Sequence, residues 1–193
     1  SLFIAIKGFN VDGHDYITDA IKLGAKAVLV ENDIDIDSSI SVIKVKNSRK
    51  AMSKIASNFF GNCSKNLKIT GVTGTNGKTS VTYIINHILK YNDYNTSLLG
   101  TLGFFGPNGI QNTGFTTPES VELQNIFNTL TKGGVTNLNM EISSHSLALN
   151  RVDDVDVDIA IFTNLSRDHL DYHKNFKNYF SSKLKLFTNL DKN

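Results

Sequence analysis

From residue 67 onward, short apolar segments alternate with amphipathic helical patterns. The clearest helical pattern covers 80–90, where apolar residues recur at positions i, i+3, i+4, i+7 and i+8. These residues are Val81, Ile84, Ile85, Ile88 and Leu89. Further helices are predicted at 119–131 and 176–187, and strands at 67–72, 96–99, 135–142 and 157–162. This alternation is typical of a mostly parallel sheet covered by helices, so we predict an α/β fold.

The preceding part of the chain predicts a smaller α/β unit. Its predicted strands lie at 2–6, 27–30 and 40–45, and its predicted helices at 16–23 and 47–60. In the second helix, the apolar residues Ala51, Ile55, Phe59 and Phe60 are expected to face inward. Residues 61–66 read as a linker, so the predicted domains are 1–62 and 63–193.

Composition and charge exclude several classes of function. The 193 residues are 40% hydrophobic and 20% charged, which is typical of a soluble globular protein. The net charge is only +2 and the lysines are dispersed, so no nucleic-acid-binding face is expected. No apolar run approaches the roughly 18 residues of a membrane span, and no signal-peptide pattern is present. The single cysteine, Cys63, fits a reducing compartment. We expect a cytoplasmic monomer, in a chain truncated at both ends.

Residues 71–79, with the sequence GVTGTNGKT, connect a predicted strand to a predicted helix. A glycine-rich turn before a helix leaves backbone N–H groups free for phosphate oxygens. Lys78 would neutralise the β- and γ-phosphates of a nucleotide, and the Thr79 hydroxyl would bind Mg²⁺. The candidate nucleotide-binding residues are Gly74, Thr75, Asn76, Gly77, Lys78, Thr79 and Ser80. The usual phosphate-loop pattern requires glycine at 72, where the chain has Val72, so a chance glycine-rich turn is the alternative.

Other polar residues follow the predicted strands. Glu141 ends an apolar segment, where a phosphate-loop enzyme places a carboxylate that supports Mg²⁺. The alternative is an ordinary, partly exposed glutamate. His169 and His173 lie in an acidic segment that suggests zinc, but a full set of zinc ligands is lacking. A histidine that assists a Mg²⁺–phosphate site is favoured, with a solvated helix cap as the alternative.

The sequence leaves two alternative roles open for each of two further segments. Thr116 and Thr117 precede Pro118 in a typical helix start, which serves either as a cap alone or as an anion-binding end. His145 follows a pair of serines, and it is either a site residue or a local cap.

Five motifs occur in a fixed order along the chain. They are TGTNGKT at 73–79, TTP at 116–118, MEISSH at 140–145, FTNL at 162–165 and DHLDYH at 168–173. Together they closely resemble the Mur ligase family, and residues 1–13 are similar to the uridine-nucleotide domain of that family. The resemblance covers essentially the whole chain. Within the family, the motifs look most like the members that add meso-diaminopimelate or L-lysine to UDP-N-acetylmuramoyl-L-alanyl-D-glutamate in peptidoglycan synthesis.

The resemblance implies an ATP-dependent ligase that uses Mg²⁺. ATP phosphorylates the D-glutamyl γ-carboxylate of the acceptor, and the incoming amine then displaces phosphate to form an amide. The implied catalytic residues are Lys78, Glu141, His169 and Lys183. The implied metal ligands are Thr79, Glu141, His169 and Lys183, the last as a carbamate. Tyr179, Leu186 and Phe187 complete the family pattern around Lys183, which without the resemblance would be expected to be a solvated helix lysine.

The resemblance also implies the residues that hold the acceptor. They are Thr116, Thr117, Ser143 and Arg151, with Phe9, Asn10 and Val11 at the uridine end. Leu149 departs from the glutamine that many relatives carry, which puts one polar contact in doubt. The family's later central-domain residues and its C-terminal domain are absent, so we expect residues 1–193 alone to be inactive.

Two other classes of function compete with this interpretation. A ligase similar to folylpolyglutamate synthase would share the phosphate loop, but the TTP and SSH segments argue against it. A non-catalytic nucleotide-binding module is the second alternative. A GTPase-like switch would need an Asn-Lys-x-Asp sequence, which is absent.

Overall fold

The structure, a computed structural model, describes residues 1–106 and 109–190. The chain falls into two compact units, Ser1–Met52 and Ser53–Asn193. The division lies inside the helix Ser48–Phe59, whereas the predicted domain limit follows that helix. The domains 1–62 and 63–193 therefore stay a prediction, and the predicted end at 193 lies outside the described residues.

The first unit is built on a three-stranded parallel sheet. In spatial order its strands are β1 (Leu2–Ile4), β2 (Ala27–Val30) and β3 (Ser41–Lys44). Helix α1 (Ile17–Lys22) follows a 3₁₀ turn at Gly13–Tyr16, and α2 (Ser48–Phe59) follows β3. The middle strand is the most buried, because it lies between the other two strands and packs against Ile17 of α1.

The second unit is built on a six-stranded sheet in the order β7-β6-β5-β8-β4-β9. Its strands are β4 (Lys68–Thr73), β5 (Thr96–Gly100), β6 (Gly103–Gly106), β7 (Gly109–Gln111), β8 (Asn137–Glu141) and β9 (Ile159–Phe162). Strands β5, β8, β4 and β9 run parallel, whereas β6 and β7 add antiparallel pairs at one end. The predicted α/β class with a mostly parallel sheet is confirmed.

Within residues 53–106 and 109–190, five helices accompany this sheet, and a 3₁₀ turn at Cys63–Asn66 precedes it. They are α3 (Lys78–Tyr91), α4 (Ser120–Lys132), α5 (Ser144–Ala148), α6 (Leu170–His173) and α7 (Phe176–Thr188). Helix α4 buries Leu123, Phe127 and Leu130, whose helical spacing places them on one face against the sheet. In the part of the chain that the structure describes, no helix is long and apolar enough to cross a membrane.

The register of the parallel strands brings four polar groups to one edge of the sheet. Val72 of β4 pairs with Glu141 of β8, so the loop after β4 leaves the sheet beside that carboxylate. Thr73 pairs with Phe162, which places Thr163 beside the same loop. Leu99 pairs with Met140, so the end of β5 lies next to the end of β8. Ligands gather at the carboxyl ends of such strands, and this edge positions the candidate site.

Some sequence predictions of burial were wrong. Phe59 of α2 is 81% exposed, because the small residues Ser53, Ala56 and Ser57 occupy the close-packed face of that helix. Ile84 and Ile88 of α3 are also more than half exposed. The buried residue of α3 is Thr82, whose hydroxyl bonds to carbonyl oxygens of its own first turn. The antiparallel pair β6–β7 and the short helices α5 and α6 were not predicted at all.

Candidate active site

Two glycines shape the loop between β4 and α3. Gly74 has φ +149°, and a Cβ there would collide with the Thr163 hydroxyl. Gly77 has φ +84° and directly precedes α3. Residues with a Cβ rarely adopt these conformations, so the turn requires glycine at both positions. The missing glycine at position 72 is not needed, because Val72 is still inside β4. The turn leaves the first N–H groups of α3 available for an anion.

The segment that follows β9 braces this loop. The Thr163 hydroxyl donates to the Asn76 carbonyl over 2.7 Å, and the Asn164 side chain bonds to both the N–H and the carbonyl of Asn76, each over 3.0 Å. The N–H of Thr75 donates to the Asn164 carbonyl over 3.0 Å. The FTNL motif at 162–165 follows from the sequence as the end of a predicted strand, but no role was predicted for Thr163 or Asn164. Their strand-end position was the available signal.

Lys78 turns back onto its own loop. Its ammonium donates to the carbonyl oxygens of Gly74 and Thr75 over 3.0 and 2.8 Å. Burial lowers the pKa of Lys78, while the nearby Glu141 carboxylate acts in the opposite direction. A phosphate group at the loop would offer this cation a stronger, charged partner than two neutral carbonyls.

Thr79 and Glu141 meet beside the loop. The Thr79 hydroxyl donates to Glu141 Oε2 over 3.0 Å, and the carboxylate is 1% exposed. Hydroxyl and carboxylate oxygens are the hard ligands that Mg²⁺ prefers, together with water and phosphate oxygens. This pair therefore fits a Mg²⁺ ion. Among residues 1–106 and 109–190, no group of three or more His, Cys, Asp or Glu side chains is placed to hold a metal.

Lys183 is buried, in contrast to the solvated lysine that its helix pattern alone predicts. It is 1% exposed, and its ammonium donates to the Gly74 carbonyl over 2.7 Å and lies 4.6 Å from the centre of the Tyr179 ring. Burial, and then the positive charge of Lys78, lower the pKa of Lys183 to about 8. Tyr179 in turn bonds through its hydroxyl to Thr75 over 3.0 Å. Helix α7 is thus attached to the loop between β4 and α3.

His169 lies at the start of α6 in a left-handed conformation, with φ 51°. Its ring stacks edge-on against His145, with 4.9 Å between ring centres, and its Nε2 lies 3.5 Å from Asp168. Burial, and then the charge of His169, lower the pKa of His145. The structure therefore places His145 beside the predicted site residue His169, and a role of His145 in the site stays a prediction.

No separate role was predicted for His173. Its side chain is buried between helices α5 and α7. Its Nε2 lies 3.0 Å from the Ser144 hydroxyl of α5, and its Nδ1 lies 3.3 Å from the Ser182 hydroxyl of α7. Ser182 donates its own hydrogen to the Asn178 carbonyl, so Nδ1–H is the donor to Ser182 and Nε2 accepts from Ser144. Burial lowers the pKa of His173 to about 4, which keeps the ring neutral at neutral pH.

Three of the four predicted acceptor-binding residues of the second unit, Thr117, Ser143 and Arg151, form one hydrogen-bonded cluster. The buried Thr117 hydroxyl donates to the Glu141 carbonyl over 2.9 Å and accepts from the Ser143 N–H over 3.1 Å. Arg151 donates to the Thr117 carbonyl over 2.9 Å and pairs with Glu119 over 2.7 Å. These contacts fix the shape of the cluster. Thr116 lies beside it and is partly exposed.

The predicted uridine-contacting residues lie in the first unit. Phe9, Asn10 and Val11 form an exposed turn that is closed by a hydrogen bond of 2.9 Å from the Gly8 N–H to the Val11 carbonyl. The Phe9 side chain is 74% exposed. A contact between Phe9 or its neighbours and a nucleotide stays a prediction.

Comparison with known protein families gives a match over almost the whole chain. The model of the Mur ligase middle domain matches residues 72–193, and the model described as the Mur ligase family catalytic domain matches residues 1–60. The chain belongs to the Mur ligase family. The resemblance predicted from the ordered motifs is confirmed.

Individual relatives agree with this assignment. A UDP-N-acetylmuramoyl-L-alanyl-D-glutamate–2,6-diaminopimelate ligase of Clostridium perfringens (strain 13 / Type A) is 48% identical over 185 residues, covering 96% of this Mur ligase chain and 38% of the relative. A solved structure of a ligase with the same name has a TM-score of 0.84 at 30% identity, covering 99% of this chain and 39% of that one. The chain thus spans about two fifths of the length of the relatives it matches.

A more distant structure supports the fold alone. The MurF ligase from Thermotoga maritima, solved in complex with ADP, has a TM-score of 0.64 at 23% identity. The match covers 100% of this chain and 41% of that protein. The fold is therefore shared with a protein whose sequence differs at most positions.

Proposed function

We propose that the protein carrying this chain is an ATP-dependent ligase that joins 2,6-diaminopimelate to UDP-N-acetylmuramoyl-L-alanyl-D-glutamate in peptidoglycan synthesis. The observation that carries the proposal is the meeting of Lys78 and Lys183 at the Gly74 carbonyl in a phosphate loop next to the Thr79–Glu141 pair. Phosphoryl transfer between two anions needs this combination of positive charge and hard oxygen ligands. The names of the relatives supply the substrates, with L-lysine as the alternative amine.

The first proposed step makes an acyl phosphate. An oxygen of the D-glutamyl γ-carboxylate attacks the γ-phosphorus of ATP, and the bond from that phosphorus to ADP breaks. Lys78 moves from the Gly74 and Thr75 carbonyls to the β- and γ-phosphates and holds the charge that develops between them. Mg²⁺, held by Thr79 and Glu141, neutralises phosphate charge when bound.

In the second proposed step, the amine of the diamino acid attacks the acyl carbon. The bond from carbon to the phosphate oxygen breaks, and the departing phosphate takes up the proton that the amine nitrogen loses as the amide forms. The residues predicted to hold the acceptor are Thr116, Thr117, Ser143 and Arg151, with Phe9, Asn10 and Val11 at its uridine end. We place the reaction in the cytoplasm, carried out by a monomer.

Lys183 has a proposed role as a carbamate. Carbamate formation needs a neutral amine that attacks carbon dioxide, and the lowered pKa of Lys183 increases its neutral fraction at neutral pH. The product would turn a buried cation into an anionic oxygen ligand, which with His169 would support a second metal ion. Incorporation of ¹³C-bicarbonate into Lys183, detected by NMR, tests this role.

The proposed reaction is tested on the full-length protein by following the release of ADP. Release is expected to require both the UDP-linked dipeptide and a diamino acid, with diaminopimelate preferred over L-lysine. The matched control is UDP-N-acetylmuramoyl-L-alanine, which lacks the γ-carboxylate that accepts the phosphoryl group. Turnover with a pteroate substrate instead of the UDP-linked dipeptide would contradict the proposal in favour of a folate-type ligase. Nucleotide binding without turnover of either acceptor would favour the binding module.

A further inference from the structure

The end of β5 forms a cradle for the Glu141 carboxylate. The N–H of Thr101 donates to Glu141 Oε1 over 2.8 Å, and the Thr101 hydroxyl donates to Oε2 over 3.2 Å. A Cβ at the neighbouring Gly100 would collide with the same carboxylate, so only glycine leaves room for it. Gly100 and Thr101 therefore fix the position of the buried Glu141 carboxylate, and Glu141 itself remains the candidate ligand.

The Thr101 hydroxyl also reaches the other side of the site. It lies 3.1 Å from the Thr116 hydroxyl. A hydroxyl carries one hydrogen, and that of Thr101 is donated to Glu141, so the Thr116 hydroxyl must donate to Thr101. The Thr79 hydroxyl donates to Glu141 from the phosphate-loop side. A chain of hydroxyls thus runs from Thr116 through Thr101 to the carboxylate that Thr79 shares.

We propose that Thr101 is a positioning residue that orients Glu141 for Mg²⁺ and couples it to Thr116. The proposal rests on the proposed function, in which Thr79 and Glu141 hold the Mg²⁺–nucleotide and Thr116 contacts the acceptor. An acceptor that fixes the Thr116 hydroxyl also fixes the Thr101 hydroxyl and, through it, the Glu141 carboxylate. The entropy cost of ordering this carboxylate is then already met when the nucleotide binds. Ordering by the first ligand removes that cost for the second, and the coupling is therefore positive and reciprocal.

The matched variants are Thr101→Val and Thr101→Ser in the full-length protein. Valine keeps the backbone N–H and the shape of the side chain but removes the hydroxyl, whereas serine keeps both donors. Loss of an outer contact to a metal ligand typically weakens metal use about 10- to 100-fold, and we expect that increase in the Mg²⁺ concentration for half-maximal activity in Thr101→Val. Thr101→Ser is expected to stay close to wild type. Thr129→Val is the control, because the Thr129 hydroxyl donates to the Asn125 carbonyl of its own helix, away from Glu141.

A separate experiment measures the coupling between the acceptor and the Mg²⁺–nucleotide. Calorimetry gives the affinity for Mg²⁺ with a non-hydrolysable ATP analogue, in the presence and absence of the UDP-linked dipeptide. Wild type and Thr101→Ser are expected to gain about fivefold or more in affinity with the acceptor, and Thr101→Val to lose that gain. A Thr101→Val protein that keeps both the wild-type Mg²⁺ dependence and the wild-type gain overturns the proposal.

Two further outcomes remain decisive. If thermal unfolding shows that Thr101→Val does not fold, Thr116→Val removes only the far hydroxyl of the hydrogen-bond chain. With the UDP-linked dipeptide at a concentration that saturates this variant, loss of the gain in affinity supports the coupling, and its retention overturns it. If the wild-type protein forms no amide, the proposed function fails. The nucleotide affinities of the Thr101 variants without acceptor then still decide whether Thr101 orients Glu141, since that effect needs only Mg²⁺ and the nucleotide analogue.

Discussion

The phosphate loop and helix α7 each contribute a lysine to the same carbonyl, that of Gly74, but they do so in opposite ways. Lys78 reaches it across 4 positions of the chain and stays partly accessible. Lys183 reaches it across 109 positions and is almost completely buried. The position of Lys78 follows from its local sequence, whereas the environment of Lys183 exists only after α7 has packed against the loop. The first lysine is therefore predictable from the residues around it, and the second is not.

Among the variants that distinguish the two lysines, Lys78→Met is expected to have the largest effect on ADP release. Methionine keeps the length of the side chain but removes the charge that the transferred phosphoryl group needs. We expect ADP release by the full-length protein to fall about 1000-fold, which is about 4 kcal/mol of transition-state stabilisation. Stability should change little, because the ammonium is only partly buried. Near-normal turnover of this variant would contradict the assignment of the loop.

The α7 region should be distinguished from the loop by its response to acid. The pKa of His173 is about 4 in the folded protein, below the ordinary 6.5, so the unfolded state binds a proton more readily between these values. The free energy of unfolding should therefore fall as the pH drops from 6.5 to 4, by up to about 3 kcal/mol. A proton on Nε2 would also oppose the hydrogen bond from Ser144.

Thermal unfolding between pH 4 and pH 7 measures this loss for the full-length protein. His173→Gln lacks the titrating ring and should lose less stability over that range than wild type. His87→Gln is the control, because His87 is an exposed residue of α3 and its removal should leave the acid sensitivity unchanged. Equal acid sensitivity of wild type and His173→Gln would show that the neutral bridge between α5 and α7 does not form.

Lys183→Met sharpens the comparison between the two lysines directly. Replacement of a buried cation by an apolar side chain of similar length is often neutral or stabilising, so the unfolding temperature should not fall. Turnover should nevertheless fall about 10- to 100-fold, because the proposed carbamate supports a metal rather than the reacting atoms. A loss of stability together with unchanged turnover would reduce Lys183 to a structural residue. Steady-state kinetics and thermal unfolding on the same preparation separate these outcomes.

The difference between the two regions also explains how far the sequence could be interpreted. Strand and helix existence followed from periodicity, and the parallel sheet followed from their alternation, because both are properties of neighbouring residues. The β6–β7 pair was missed because a glycine-rich segment such as Gly103–Gly106 carries little strand pattern. The inward prediction for Phe59 was wrong because the small side chains of α2 are preferred where the packing is close.

The candidate site divides in the same way. Gly74, Gly77 and Lys78 could be placed from the residues alone, since a strand, a turn and a helix start are contiguous there. Lys183 and His169 came from the family resemblance. Their roles stay predictions. His173 contacts Ser144 across 29 positions of the chain, and Thr101 contacts Glu141 across 40 positions. Sequence periodicity carries no information at these separations.

Thr163→Val gives the smallest expected effect, and it tests whether the loop is as local as its motif suggests. The Thr163 hydroxyl holds the Asn76 carbonyl from 87 positions away, while Asn164 keeps its own two bonds to Asn76. Loss of one such bond should cost about 1 kcal/mol, seen as a roughly fivefold weaker affinity for the nucleotide by calorimetry. Thr188→Val is the control, because the exposed Thr188 hydroxyl donates to the Lys185 carbonyl at the end of α7, away from Asn76. If Thr163→Val binds the nucleotide as tightly as Thr188→Val does, the loop holds its shape without the Thr163 hydroxyl, and the contrast between a locally formed loop and an assembled α7 is strengthened. If it binds more weakly, even the phosphate loop depends on distant residues, and the two regions differ in degree only.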